Sequence, residues 1–442
     1  MERHRFRLLP SGTPFPDATG MVATVSTTGA IDLDNEFFHD LGSNGRRCIS
    51  CHVPSAGWST TPGQIRAVFE ATRGGELDDV LGLGAIFRTN DGSNSPDADV
   101  STLDGRREAY SMLLDRGVIR VGIGIPADAE FELVAVDDPY HHASAAELSL
   151  FRRPLPTTNL GFLSAVMWDG RETQAGRTIH LDLSQQASDA TTGHAEGDPP
   201  SDAQRESIVA METALFTAQV FDVAAKELDA AGAHGGPDAL VTAPFYLGIN
   251  DNFGDSKTHA PFTPIVFDLY DAWAGASDDD GARRRAVARG QALFNTRTIN
   301  ITGVSGINDE AAFGSPASLA GTCTTCHDTP SAGNHSVVAP LDLGLTDASR
   351  RTPDMPLYTL RNKATGELRR TTDPGRALIS GKWKHIGRFK GPILRGLAAR
   401  PPYFHNGFAA DLDAVVNFYD GRFAMHLTAQ DKADLVAFLQ TL

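Results

Sequence analysis

All four cysteines of the chain fall in two copies of one pattern, C-x-x-C-H: Cys48, Cys51 and His52 in "CISCH", then Cys323, Cys326 and His327 in "CTTCH". A redox dithiol or a zinc site would account for the cysteines. A zinc knuckle, however, closes most readily when its halves lie close in sequence, and here more than half the chain separates them. One reading accounts for the histidine as well. In c-type haem attachment the two cysteines bond to the porphyrin vinyl groups, and the adjacent imidazole becomes the proximal iron ligand. Two covalently bound haems are therefore expected, with His52 and His327 as iron ligands.

Composition bounds the rest. A chain of 442 residues is expected to form two large domains, because single cores stop growing beyond about 250–300 residues. A net charge of -16 argues against nucleic acid and anionic membrane surfaces, and leaves small solutes or a basic protein partner. No stretch approaches the roughly 20 apolar residues of a spanning helix. Haem attachment of this type takes place outside the bacterial cytoplasmic membrane, so the periplasm is the expected compartment. The start, "MERHRFRLLPSGTPFPDATG", is basic but lacks the apolar run of about 7–15 residues of a signal peptide, and reads as truncated. A cytoplasmic protein with empty haem sites is the alternative.

Each motif follows a similar lead-in carrying a phenylalanine, a weak internal duplication. The acidic "SDDDG" suits a surface linker and places a boundary near residue 275, giving an N-terminal haem domain over 1–275 and a C-terminal one over 276–442. "RVGIGIPADAEFELVAVDDPY" alternates apolar and polar side chains as strands do, so residues 62–150 read as an insertion with some β structure. At the end of the chain Thr428 and Asp431 suit a helix cap, and Leu435, Phe438, Leu439 and Leu442 share one face. The expected fold class is mainly α: two cytochrome c-like haem domains, with a partly β insertion in the first.

"RRPLPTTNLGFLSAVMWDGRE" (152–172) and "GRFKGPILRGLAARPPYFHNGFAADLDAVVNFYD" (387–420) resemble the bacterial dihaem cytochrome c peroxidase and MauG family. The resemblance covers both haem motifs and most of the chain outside the insertion. It implies that the N-terminal haem binds peroxide and that Trp168 relays electrons between the haems, the alternative being a core aromatic that only packs. The family's acid–base pair, a glutamine and a later glutamate, falls on Gln186 and Glu196, although the run from Arg171 to Gln186 is longer than usual. His194 in the same loop is an alternative to Glu196, or a cap on the resting iron; a solvated loop is the third reading. At the second haem the family's distal ligand position falls on Tyr419, with Met425 as the thioether alternative. Tyr419 could instead share a core face with Leu412, Val415 and Val416.

Smaller expectations attach to other residues. His141 and His142 lie where relatives carry a capping histidine, but beside Asp137 and Asp138 they read as a surface pair. His405 is expected near the second haem, and His335 near a haem propionate. The family's calcium-binding positions carry Arg153 and Arg400, whose fixed charges oppose a dication, so calcium is disfavoured and an arginine could replace it electrostatically.

Three functions follow. The first is a peroxidase that reduces hydrogen peroxide to water with electrons from a small periplasmic donor, a c-type cytochrome or cupredoxin. The second is a MauG-like oxidase using high-valent haem to oxidise a protein or organic substrate, which a tyrosine ligand favours because phenolate stabilises ferric and higher oxidation states. The third is an electron-transfer cytochrome without peroxidase activity. A homodimer is compatible with all three.

Overall fold

The computed structural model describes residues 8–442 other than 78, 80 and 278. The basic start of the chain and part of the "SDDDG" stretch lie outside the described residues. The described residues form ten α-helices and thirteen strands. Strand structure is not confined to residues 62–150, which corrects the mainly α expectation. Gly20–Ser26 pairs antiparallel with Leu215–Asp222, and Phe131–Asp137, within residues 62–150, pairs with Leu357–Asn362 near the other end of the chain. Gly20–Ser26 and Leu357–Asn362 each form a local hairpin on one edge, with Pro14–Pro16 and Leu368–Thr371 respectively, and take a partner far away in sequence on the other.

Both haem motifs fold into the same tight turn. The residue before the first cysteine donates its backbone N–H to a hydroxyl three positions on: Arg47 to Ser50 Oγ at 3.1 Å and Thr322 to Thr325 Oγ1 at 2.9 Å. The histidine N–H donates to the first cysteine's carbonyl, at 3.0 Å for His52 and 3.2 Å for His327. The duplication seen in the sequence is thus a repeated hydrogen-bonding pattern.

Two helices flank the first motif. Ile179–Gly193 starts at Thr178, whose hydroxyl accepts from Leu181 N–H, and buries Leu183, Ala187 and Thr191 at intervals of one turn. Asp202–Thr213 follows, opened by a reciprocal Ser201 and Gln204 cap, and buries Ile208, Val209 and Glu212. The C-terminal helix Ala429–Gln440 has the expected cap, Thr428 Oγ1 accepting from Asp431 N–H at 3.1 Å. Its apolar face packs with Val287 and Phe294 of helix Gly281–Thr296 in one core. That core also takes in Phe267, Tyr270 and Trp273, ahead of residue 275.

The two helices touch backbone to backbone at Gly290. A Cβ there would lie 1.9 Å from the Asp434 carbonyl oxygen and 2.7 Å from Phe438 Cβ. Only glycine allows this approach. Gly290→Ala is expected to destabilise the protein by roughly 1–3 kcal/mol through overpacking, read as a lower midpoint in thermal denaturation; an unchanged midpoint would show that the helices can part freely.

Candidate functional site

Each C-x-x-C-H turn opens onto its own cavity, and the two are equal in size at ≈ 190 Å³. Cys48, Cys51 and His52 line the first, and Cys323, Cys326 and His327 the second. The four cysteines therefore do not meet in one zinc site. Burial pushes the thiols up, Cys51 to about 11 and Cys323 and Cys326 to about 12, so none is the ready thiolate that dithiol exchange requires.

The imidazoles are set for a metal. His52 Nδ1 lies 3.1 Å from the Trp58 carbonyl oxygen and His327 Nδ1 2.6 Å from that of Gly333, in each case six residues on. With Nδ1 donating to a carbonyl, Nε2 carries the lone pair a metal binds. Burial lowers both rings, His52 to about 4, and so keeps them in the neutral form that ligates. Buried polar atoms without a hydrogen-bond partner among the described residues lie on both linings, among them Glu212 Oε2 in the first and His405 Nε2 in the second. Paired cysteines and a neutral imidazole on the wall of each cavity fit a haem in each.

The walls differ. Arg46, Asp91, Arg171, Gln186, His194 and Glu212 put charged and polar groups on the wall of the first cavity. His194 Nδ1 is hydrogen-bonded to Asp91 Oδ2, and Arg46 forms an ion pair with Asp91 Oδ1. Burial alone would raise the Asp91 carboxyl, but Arg46 and His194 outweigh it and hold it below the usual range. Glu212 has no such partner, and burial pushes it up to about 8, so it is protonated at neutral pH. The second cavity is lined mainly by Leu, Val and Phe.

Five residues line both cavities: Arg153, Pro154, Trp168, Lys390 and Pro392. The Trp168 indole N–H donates to the Arg153 carbonyl at 2.8 Å, and its ring lies 6.2 Å from that of His405. Lys390 donates its backbone N–H to the Trp168 carbonyl at 2.9 Å and its ammonium to the Ala165 carbonyl at 2.9 Å. Burial without a carboxylate partner lowers Lys390 to about 7. Beside Trp168, Asp169 accepts from buried Arg152 at 2.5 Å, and Arg152 also engages Asp373 at 2.7 and 2.9 Å.

The residues singled out in the sequence are distributed as follows. Gln186 and His194 line the first cavity and Trp168 both. Glu196 is exposed and does not line the first cavity. The helix that carries Gln186 ends at Gly193, and Glu196 follows in a left-handed turn with φ 54°. Tyr419 and Met425 both line the second cavity. Burial raises the Tyr419 phenol, and its ring packs with those of Phe404, Phe418 and Phe423. His405 lines the second cavity, stacked on Phe389 at 4.0 Å. His335 does not line it, because its Nδ1 is bound to Asp328 at 3.0 Å. His142 pairs with Asp97 on the surface, and His141 is exposed. The Arg153 guanidinium is surrounded by carbonyl oxygens, among them Thr60 at 2.6 Å and Gly117 at 3.0 Å, and that of Arg400 by Ile393 at 2.7 Å. Sequence reasoning missed Arg46, Asp91, Glu212 and Lys390. Glu212 alone left a signal, standing one turn after Ile208 on an apolar helix face.

No family model matches the chain. It is similar to the cytochrome-c peroxidase IdrP1 of Pseudomonas sp. (strain SCT), 28% identical over 198 residues, 40% of this chain and 44% of that protein. It is also similar to the cytochrome-c peroxidase IdrP2 of Denitromonas iodatirespirans, 32% identical over 133 residues, 28% of this chain and 36% of that protein. The matches thus span less than half the length of these relatives. Two solved structures are aligned more loosely. One is a MauG-like protein associated with microbial copper homeostasis, at 15% identity over 92% of this chain and 87% of that chain, with a TM-score of 0.39. The other is a variant of the dihaem peroxidase BthA from Burkholderia thailandensis, at 18% identity over 98% and 94%, with a TM-score of 0.32. Scores this low decide nothing about the fold. The curated relatives bear out the resemblance to dihaem cytochrome c peroxidases read from the sequence.

The Arg152 cluster gives a direct test of what holds the wall between the cavities. Burial works against the Asp169 charge, but Arg152 and Arg171 outweigh it and keep the carboxyl depressed. Its contribution to stability is therefore complete above the unfolded carboxylate value of about 3.9 and lost as pH falls through the lower folded value. Asp169→Asn is expected to cost about 3 kcal/mol at neutral pH. It should also flatten the loss of stability in acid, both measured by denaturant unfolding across pH; parallel curves for the two proteins would contradict the assignment.

Proposed function

We propose, on the strength of this kinship with cytochrome-c peroxidases, that the chain is a periplasmic dihaem peroxidase that reduces hydrogen peroxide to two water molecules, consuming two electrons and two protons. One observation carries the reading: two like cavities, each opened by a C-x-x-C-H turn, share Trp168 as a wall, and among the described residues only the first is lined by carboxylates, Asp91 and Glu212, the former hydrogen-bonded to His194. Cys48 and Cys51 with His52, and Cys323 and Cys326 with His327, would hold the two haems covalently. Bound there, haem supplies the redox chemistry of peroxide reduction. Lys390, a buried amine on both walls, is suited to the anionic edge of such a group, whose charge would favour its protonated form.

The protein's own part is to manage protons and electrons. His194 Nε2 accepts a proton from one peroxide oxygen and returns it to the other as the O–O bond breaks, while the Gln186 amide orients the substrate. Glu196, exposed, is replaced in this role by His194. Trp168 passes electrons from the apolar second cavity, which keeps water and protons away from its redox centre. The electrons come singly from a small c-type cytochrome or cupredoxin. A MauG-like oxidase is the second reading, favoured by the phenol of Tyr419 in the second cavity; Met425 in the same cavity favours the peroxidase.

Expression with a haem-attachment system is expected to give two c-type haems by pyridine haemochrome, with one lost in Cys48→Ala/Cys51→Ala. Stopped-flow mixing with peroxide should then show fast oxidation that decays when a reduced small cytochrome is added. Two intact haems and no peroxide reaction would mean an electron-transfer cytochrome. A long-lived oxidised state unaffected by the donor would favour the oxidase. Tyr419→Phe is expected to keep both haems and alter the ferric spectrum of the second; an unchanged spectrum would leave Tyr419 a packing residue.

A further inference from the structure

The inserted segment, residues 62–150, has no place in the chemistry so far. Its loop at 85–91 nevertheless reaches the first cavity and meets His194 there. Asp91 is 8% exposed and both its carboxylate oxygens are engaged, Oδ2 by His194 Nδ1 and Oδ1 by Arg46. Arg46 is itself tied to the insertion, its Nε donating to the Ala85 carbonyl at 2.9 Å and its Nη2 to that of Ile86 at 2.9 Å. The loop is held from behind as well: Arg120 donates its backbone N–H to the Asp91 carbonyl at 2.7 Å and its Nη2 to that of Asn90 at 3.0 Å.

His194 is gripped at two points. Its carbonyl accepts from Asn44 Nδ2 at 2.8 Å and from Arg46 Nη1 at 3.1 Å, both just ahead of the first cysteine motif. Its ring is bound by Asp91. With main chain and Nδ1 both fixed, Nε2 is the nitrogen left to serve the cavity, and the carboxylate sets both its tautomer and its direction. A ring half-exposed at a helix end would otherwise rotate freely. We propose that Asp91 is the positioning residue for His194, and that delivering it is what the inserted segment contributes to peroxide reduction.

This inference rests on the proton-carrying role given to His194, so the test separates the two. Holoprotein carrying both haems is prepared as wild type, His194→Ala, Asp91→Asn and the double variant. Two rates are measured: the reaction with peroxide, and the association of hydrogen cyanide with the ferric protein, a binding step that also leaves a proton on a nearby base. His194→Ala is expected to slow both by about 1,000-fold and Asp91→Asn by about 100-fold. The double variant should be no slower than His194→Ala, because a positioning residue acts only through the ring it positions. If Asp91→Asn matches wild type, or adds its full factor in the His194→Ala background, the positioning role fails while the reading of His194 stands. If His194→Ala matches wild type in both rates, the reading of His194 fails and this inference with it. Asp91→Glu keeps the charge that Arg46 needs and displaces the acceptor by one methylene. Should Asp91→Asn not retain its haems, a slow peroxide reaction in Asp91→Glu, absent in the His194→Ala background, supports the positioning role in the same way, and a wild-type rate in Asp91→Glu overturns it.

Discussion

One buried guanidinium holds the centre of the molecule. Arg152 leaves the strand Leu148–Arg152 and is shared between Asp169, next to Trp168, and Asp373 from the C-terminal half. Three charges taken out of water are expensive unless each is matched in geometry, and here both carboxylates meet the fork directly. The same guanidinium lies 5.7 Å from the Phe389 ring, which stacks on His405, which in turn meets Trp168 edge-on. The aromatic column between the cavities is therefore built on an electrostatic footing. Apolar packing alone would leave the rings free to slide; the fork and its two acceptors fix one register.

What the sequence made legible was local. The two C-x-x-C-H turns and the capped C-terminal helix follow from residues a few places apart, where chain geometry leaves little freedom, whereas Trp168 was singled out by family resemblance alone. What it concealed was long-range. Asp91 reaches His194 across an interval of 103 residues, and nothing near either of them announces the pairing. The strand pairing of Phe131–Asp137 with Leu357–Asn362 is hidden for the same reason. The displacement of Glu196 has a different cause. Counting forward from Gln186 assumes that the backbone continues as before, and it stops being helical at Gly193, so the count runs past the cavity. His335 finds a partner in a nearby acid, Asp328, and does not line the second cavity.

The two sites show how one local motif acquires two characters. Their turns are nearly superposable in hydrogen bonding, down to the carbonyl six residues on that fixes each imidazole. Everything that distinguishes them comes from what the rest of the chain lays over them. Two helices and the loop at 85–91 bring Gln186, His194, Glu212 and Asp91 to the first, whereas the C-terminal helices bring leucines and valines to the second. The polarity of the cover, more than the motif, decides which site can handle protons.

Trp168 and Lys390, joined by a backbone hydrogen bond, stand on the boundary of both cavities. That boundary is a party wall. Moving it by a few tenths of an ångström enlarges one room and shrinks the other by the same stroke, with no intervening chain of contacts to relay the change. The shape of each site is thus a boundary condition on its neighbour. A substitution tolerated on one face of the wall must also be tolerated on the other, so the two sites drift together or not at all.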